Sequence, residues 1–186
     1  MKIISRFFIF TFTVLFLSLA YLSLVGIETS SFNNQIQKNL KNIDINLDIK
    51  LNTVKLKLDP ISFKLNLKTI GPTIFYRDKG IELENIKSDL LFSTLISRKF
   101  SSSNLSISSK SVDLKKFVSF VRGIENRPDL YLLENFIKSG FIIIDINLFF
   151  DEKGNLQNNF ELNGSVRDGK LKFLKKNEFK GINFLF

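Results

Sequence analysis

With 186 residues and 44% hydrophobic content, the chain is long and apolar enough to form one folded domain beyond any targeting segment. It has no Cys and no His, which excludes thiol nucleophiles, thiolate or imidazole metal sites and imidazole acid–base chemistry. The net charge of +9 comes from 27 Lys and Arg against 18 Asp and Glu. Most lysines stand singly in alternating segments, so the charge does not indicate nucleic-acid binding.

The first predicted element is a membrane-spanning helix. Phe7 to Ile27 contains no charged residue, and at about 1.5 Å per residue it can cross the ~30 Å hydrocarbon core. Lys2 and Arg6 precede this segment, and the next Lys is Lys38, so the positive-inside rule places the N-terminus in the cytoplasm. A cleaved signal peptide is the alternative. The apolar run is longer than a signal's and no small-x-small cleavage site follows it, so we predict an uncleaved signal anchor over residues 1–27.

A short amphipathic helix is predicted next. Phe32, Ile36 and Leu40 recur every four positions, with polar residues between them, and Thr29 or Ser30 can serve as its N-cap. We expect residues 28–41 to form a connector helix just outside the membrane.

The segment from Asn42 to Asp59 is predicted to be a two-faced β-ribbon. Its apolar residues alternate with Asp, Asn, Lys and Thr until the phase skips at Asn52-Thr53. An extra residue would turn every later side chain to the opposite face, so a bulge or turn is expected at Asn52-Thr53. The alternating apolar residues are Ile43, Ile45, Leu47, Ile49 and Leu51, then Val54, Leu56 and Leu58.

Further strands and two helices are predicted along residues 61–186. Turns are expected at Gly71-Pro72, at Lys79-Gly80 and over 152–155, and the helices over 113–123 and 128–140. The chain ends on the apolar ribbon "GINFLF", which would be an aggregation-prone edge, so we expect this sequence to be the front part of a longer protein. The predicted strands cover 61–67, 74–76, 81–92, 104–112, 141–150, 160–166, 170–174 and 179–186.

Several of these segments together resemble a known family. They are the break at "LDP", the strand "GPTIFY", the stretch "IELENIKSDLLFSTLISRKFSSSNLSISSKSVDLKKF" and the later "ELNGSVRDGKLKFL". With the N-terminal span, this arrangement resembles the N-terminal region of the AsmA-like family of Gram-negative inner-membrane proteins, the relatives of TamB and YhdP. The sequence departs from the family in having Asn42 where a Gly usually separates the helix from the first strand. The aliphatic spacing is carried by Ile81, Leu83, Ile86, Leu90, Ser93, Leu95 and Ile96.

The resemblance implies a mainly β (α+β) fold, in which the transmembrane helix precedes a strongly bent antiparallel sheet that forms a groove, with two short helices inserted. Residues 42–186 would be the periplasmic AsmA-like domain of a single-pass inner-membrane protein. The implied function is to hold phospholipid acyl chains and to serve lipid transport to, or assembly of, the outer membrane, with outer-membrane assembly proteins as further partners. No cofactor is expected.

From the residues alone, the apolar face of the ribbons has two interpretations: the inner face of a closed sandwich, or the lining of an open trough. Three functions follow: a lipid carrier, a membrane-tethered β-domain that binds a protein partner, and an enzyme. No pair of carboxylates has a spacing that argues for acid–base work, so an enzyme is disfavoured. On the lipid-carrier hypothesis, the lipid-contacting residues are Ile45, Leu47, Ile49, Leu56, Leu58, Phe63, Leu65, Ile144, Ile146 and Leu148.

Overall fold

The computed structural model describes residues 2–91, 102–151, 155–173 and 177–186. The predicted turn over 152–155, except Asn155, and the family-like positions Ser93, Leu95 and Ile96 lie outside the described residues. The helices are α1 (Lys2–Leu24), α2 (Asn33–Ile43), α3 (Leu114–Ile124) and α4 (Pro128–Phe136). The strands are β1 (Ile27–Thr29), β2 (Leu47–Lys50), β3 (Val54–Asp59), β4 (Lys64–Ile70), β5 (Thr73–Tyr76), β6 (Lys79–Leu91), β7 (Ser102–Ser109), β8 (Val112–Asp113), β9 (Ile137–Phe149), β10 (Glu161–Phe173) and β11 (Asn177–Leu185).

Helix α1 is the apolar element predicted at the front of the chain. The helical segment Ile3–Leu24 has a mean hydropathy of 2.2 and is long and apolar enough to cross a membrane. Its most apolar stretch has 0% of its residues buried against the rest of the protein. Thr13 and Ser18 donate their hydroxyl protons to the carbonyls of Ile9 and Val14. Their polar groups are therefore satisfied within the helix, as a lipid environment requires.

The strands form one antiparallel sheet, which confirms the predicted mainly β architecture. The main order is β1-β3-β4-β6-β7-β9-β10-β11, while β2 pairs with β5, β5 with β6, and β8 with β9. The successive strands β4 and β5 both pair with β6, over different parts of its length. Strand β3 pairs with β4, and β2 pairs with β5. The break between β2 and β3 therefore lies beside the break between β4 and β5.

This arrangement confirms the predicted irregularity at Asn52-Thr53. Strand β2 ends at Lys50 and β3 begins at Val54. Ile49 is 2% exposed and Val54 1%, so the buried face continues across the break. Side chains of α2 donate hydrogen bonds to carbonyl groups at this break. Gln37 donates to the Ile49 carbonyl at 2.7 Å, and Asn33 donates to the carbonyls of Leu51 and Asn52 at 3.3 and 3.0 Å.

The predicted start of the first ribbon was wrong. Ile43 belongs to α2 and Ile45 to the following turn, where the Asp44 side chain accepts hydrogen bonds from the backbone N–H and the side-chain amide of Asn46. The predicted N-cap of α2, Thr29 or Ser30, was also wrong. Thr29 lies in β1, where it pairs with Val54 of β3, and the residue at the N-cap position is Phe32. The helix begins at Asn33 without a side-chain cap.

One predicted strand start and one predicted turn were also wrong. Ile61 and Phe63 are not strand residues: they lie in the turn between β3 and β4, where Asp59 accepts from the backbone N–H groups of Ile61 and Ser62. The turn predicted at Lys79-Gly80 lies at residues 77–78, with Arg77 at φ 56°. Gly80 is a strand residue, and a Cβ there would meet the Phe75 ring at 2.6 Å.

Helices α3 and α4 match the two predicted inserted helices, with a different end for the second. The Asp113 side chain caps α3 by accepting from the Lys116 N–H at 2.8 Å. Pro128 lies in the first turn of α4. Helix α4 ends at Phe136, before the predicted Gly140, because Ile137 enters β9, where it is 1% exposed and pairs with Leu171 of β10.

Candidate functional site

One face of the sheet carries apolar residues in rows that run across the strands. The strand register places Val54, Thr69, Ile86, Ile107 and Ile146 side by side on β3, β4, β6, β7 and β9. A second row is Leu56, Leu67, Ser88, Leu105 and Leu148, and a third is Leu58, Leu65 and Leu90. We call the second and third rows the leucine rows.

Helix α3 covers the end of this face that is remote from the leucine rows. There Leu83, Ile142 and Ile144, each at most 7% exposed, form a cluster with Ile81, Val112 and Val166, against which Phe117 and Phe120 of α3 pack. This part of the face is a closed core. Ile144, predicted as a lipid contact, belongs to it.

The leucine rows lie beyond this helical cover. Helix α3 packs against β5, β6, β8 and β9, and α4 against β9 and β10, but neither packs extensively on β3, β4 or β7. The row from Leu56 to Leu148 crosses neighbouring strands spaced by about 4.8 Å, so it extends for about 19 Å. Leu56, Leu67, Leu105 and Leu148 of this row are half-buried, whereas Leu65 and Leu90 of the third row are buried, at 9% and 5% exposed.

The structure places the predicted lipid contacts in three groups. Leu56, Leu58, Leu65, Ile146 and Leu148 lie together on or beside the leucine rows. Ile49, with the half-buried Leu47, extends the core through Ile74 and Ile81, to which β2, β5 and β6 align it. Ile45 and Phe63 lie in turns and are 85% and 71% exposed, so they do not join either group.

Sequence reasoning left several members of the face out of the predicted site. Leu67, Leu90, Leu105 and Ile107 lie on the same rows as the predicted residues. The signal for Leu105 and Ile107 was present in the alternating segment "NLSISS". Its polar residues are all small, and this makes the two-faced pattern weak.

An apolar groove lies between the helices and the last strands. It has a volume of about 130 Å³, and the residues that line it from α3, α4 and β9 to β11 are all apolar. Strand β11 pairs with β10 on one side, and among the described residues no strand pairs with its other side. Phe184 and Leu185 of β11 are 50% and 84% exposed, so the apolar surface continues to this edge. The groove is lined by Leu114, Val118, Leu133, Ile137, Val166, Gly169, Leu171, Ile182 and Phe184.

Ionisable groups around the core have structural partners. Burial pushes the pKa of Glu134 upward, but hydrogen bonds from Ser119 and Arg122 and the charges of Arg122 and Lys79 outweigh it and leave that pKa below its ordinary value. Hydrogen bonds from Asn46 and from the Tyr76 hydroxyl, at 3.0 Å, lower the pKa of Asp44. These pairs fasten α3 to α4 and α2 to β5.

A polar cleft of about 450 Å³ lies between the β5–β6 turn and the two helices. Its carboxylates include Asp113, which caps α3, and Glu134, which pairs with Arg122. Lys79 in the same cleft donates to the Ser119 carbonyl at 2.8 Å. Within the described part of the chain, no group of three or more Asp and Glu side chains could hold a metal ion.

Comparison with known proteins gives no match to this chain among protein-family models, curated proteins or solved structures.

Proposed function

We propose that the protein is anchored in the inner membrane by an uncleaved α1, with its N-terminus in the cytoplasm, and that its periplasmic sheet holds phospholipid acyl chains along the leucine rows. In this role it contributes to phospholipid transport to, or assembly of, the outer membrane. The observation that supports the proposal most directly is the apolar row from Leu56 to Leu148, which crosses five strands outside the cover of α3 and α4.

The chemistry of the rows suits an acyl chain. Apart from Ser88, the rows consist of leucine, so they offer methyl groups and no side-chain donor or acceptor that would demand a polar partner. Each CH₂ group that leaves water on such a surface contributes about 0.8 kcal/mol. The affinity of such a surface depends on the length of the acyl chain that it contacts and not on the headgroup. We therefore expect several phospholipid species to bind.

Site-specific photo-crosslinking tests the location of the lipid. A photoreactive phenylalanine analogue would be placed singly at Leu67, at Leu105 and at Phe63 in the full-length protein, and each variant would be irradiated in cells and analysed by mass spectrometry. Phe63 is the control because it is an apolar residue that is 71% exposed in the β3–β4 turn, beyond the Leu58–Leu65 pair where the leucine rows end. We expect phospholipid adducts at Leu67 and Leu105 and none at Phe63. Equal adducts at all three positions, or none, would contradict the proposal.

Two further measurements test the anchoring. The intact mass of the membrane-extracted protein should include the segment before Ile27. A mass that lacks this segment would show that α1 is a cleaved signal. A reporter enzyme fused after Phe186 should be active only in the periplasm, and cytoplasmic activity would contradict the orientation.

A second candidate function is a membrane-tethered scaffold that binds a protein partner. It is favoured by the apolar edge at β11, where Phe184 and Leu185 are exposed and an added strand could pair with the backbone. This candidate predicts that crosslinks from Phe184 reach protein while Leu67 yields no lipid adduct. The lipid proposal predicts the lipid adduct at Leu67 whatever Phe184 contacts.

A further inference from the structure

The polar face of the sheet carries an unusual row of lysines. The register places Lys55 of β3 opposite Lys68 of β4, and Lys68 opposite Lys87 of β6. Like charges that face each other across neighbouring strands destabilise a sheet. Of the three, Lys55 has an acidic neighbour, Glu28, at 3.8 Å, and among the described residues no ion pair is found for Lys68 or Lys87. The three lysines of the row therefore have one ion pair, Lys55 with Glu28, among the described residues.

These lysines, together with Lys57, line a hollow of about 430 Å³ on the polar face, which also includes Asn66 and Asp89. Lys68, Lys87 and Asn66 are exposed. The hollow is open to solvent and is walled by flexible ammonium groups. Its chemistry suits an anion such as a phosphate group.

The positive charge of this row is confined to one end of it. The same row continues from Lys87 through Ser106 and Asn147 to Glu161, on β7, β9 and β10. Along this row the side chains thus change from cationic at β3, β4 and β6 to neutral at β7 and β9 and to acidic at β10. A uniform excess of lysine in the sequence would not produce this gradient.

The cationic part is also the part nearest to the membrane anchor. Only Val25 and Gly26 separate α1 from β1, and β1 pairs directly with β3. A Cβ at Gly26 would lie 2.8 Å from Cγ of Lys57 and 2.5 Å from the Leu56 carbonyl, so the Lys57 side chain passes directly over the residue at the end of the span. The lysines of β3 are therefore held where α1 leaves the bilayer.

We propose that this lysine face (Lys55, Lys57, Lys68 and Lys87) binds the anionic phospholipid headgroups of the leaflet from which α1 emerges. The inference rests on the anchoring part of the proposed function and is independent of the acyl chains on the opposite face. A lysine near an anionic membrane surface contributes about fivefold to the affinity, within a Debye length of about 8 Å at physiological salt. Contact with the headgroups would fix the orientation of the sheet on the membrane.

The chain has no Cys, so a single introduced Cys can carry one fluorophore. The full-length protein would be labelled at Asn66→Cys, within the lysine face, or at Asn163→Cys, the matched control on the exposed polar side of β10. Each would be reconstituted in nanodiscs of phosphatidylcholine alone or mixed with phosphatidylglycerol, with a headgroup nitroxide as quencher. Size-exclusion chromatography would first show whether α1 inserts.

We expect the Asn66 label to be quenched in nanodiscs that contain phosphatidylglycerol and the Asn163 label to be spared. Raised salt, or the triple variant Lys55→Gln/Lys68→Gln/Lys87→Gln, should reverse the quenching, since losing three such lysines lowers the affinity on the order of a hundredfold. Lys170→Gln/Lys172→Gln/Lys180→Gln, an equal charge change on β10 and β11, should leave it intact. Thermal unfolding should show the first triple variant folded, because the substitutions relieve like-charge contacts.

Quenching that is absent, independent of phosphatidylglycerol or equally sensitive to both triple variants would overturn the inference, as would binding of an acidic protein at this face in place of the bilayer. Failure to insert into nanodiscs would overturn the anchor and this inference together. Insertion without quenching at Asn66 would overturn this inference alone and leave the acyl-chain proposal standing.

Discussion

Two substitutions on the same side of β9 separate a closed core from an accessible apolar face. Ile144 and Leu148 lie on one strand and point to the same face, since their positions differ by an even number of residues. Ile144 is 7% exposed beneath α3, whereas Leu148 is half-buried in the leucine rows. We expect Asp to have different effects at the two positions because only one of them allows a carboxylate to reach water.

At Ile144, Asp would bury a carboxylate with no partner, which costs several kcal/mol against a total stability of about 5–15 kcal/mol. The sheet should then fail to fold. At Leu148 the change removes at most the burial of one aliphatic side chain, about 1.5–3 kcal/mol. At about 2–4 °C per kcal/mol for a domain of this size, that loss lowers the Tm by roughly 3–12 °C.

The assay is thermal unfolding of the full-length protein in one detergent, followed by circular dichroism of the β-sheet signal. Phe63→Asp is the control, because Phe63 is 71% exposed in its turn, and its Tm should match that of the unmodified protein. Ile146→Asp, between the two positions on the strand, should give an intermediate effect. The reasoning is refuted if Leu148→Asp abolishes folding as Ile144→Asp does, since the face would then be closed along its whole length.

Three further outcomes follow from individual contacts. Gly26→Ala should lower the Tm of the sheet and loosen β1 from β3 in hydrogen exchange, because Gly26 has φ +82° and a Cβ would approach the Leu56 carbonyl to 2.5 Å; unchanged exchange would contradict this. The pKa of Asp44 is lowered from 3.8, so its stabilising effect is complete above pH 3.8 and lost as the pH falls through the lower folded value. The stability difference between Asp44→Asn and the unmodified protein should therefore shrink below pH 3.8, and a gap that persists would argue against the assignment. Arg122→Gln should raise the pKa of Glu134, measured by NMR titration, because it removes the cation that pairs with this carboxylate; no change would mean that burial, Ser119 and Lys79 set this pKa without Arg122.

Periodic segments were predictable from the sequence because their alternation reports burial directly. The break at Asn52-Thr53 is the clearest case: the phase of the apolar residues required it, and β2 and β3 are separate strands. The inserted helices were predictable from a different signal, the residues at their ends, such as Pro128 in the first turn of α4.

Positions decided by tertiary contacts could not be predicted in this way. A Gly such as Gly80 is typical of a turn, but here the absence of a Cβ leaves room for the Phe75 ring on the paired strand. Phe63 follows the alternation, yet the bonds made by the Asp59 side chain place it in a turn. Similarly, nothing in the alternation distinguishes Ile144 from Leu148. Among the described elements, α3 packs over Ile144 and its neighbours and does not pack extensively on β3, β4 or β7.

If the leucine rows hold lipid, phospholipid should co-purify with the protein, and lipid quantification on the purified protein measures it. The full-length protein and its Leu67→Asp and Phe63→Asp variants would be extracted in the same detergent, matched for folding by thermal unfolding, and the phospholipid bound per protein measured by mass spectrometry. We predict bound phospholipid in the unmodified protein and in Phe63→Asp, and a marked loss in folded Leu67→Asp. The account is contradicted if the unmodified protein carries no phospholipid, or if folded Leu67→Asp retains as much as the unmodified protein.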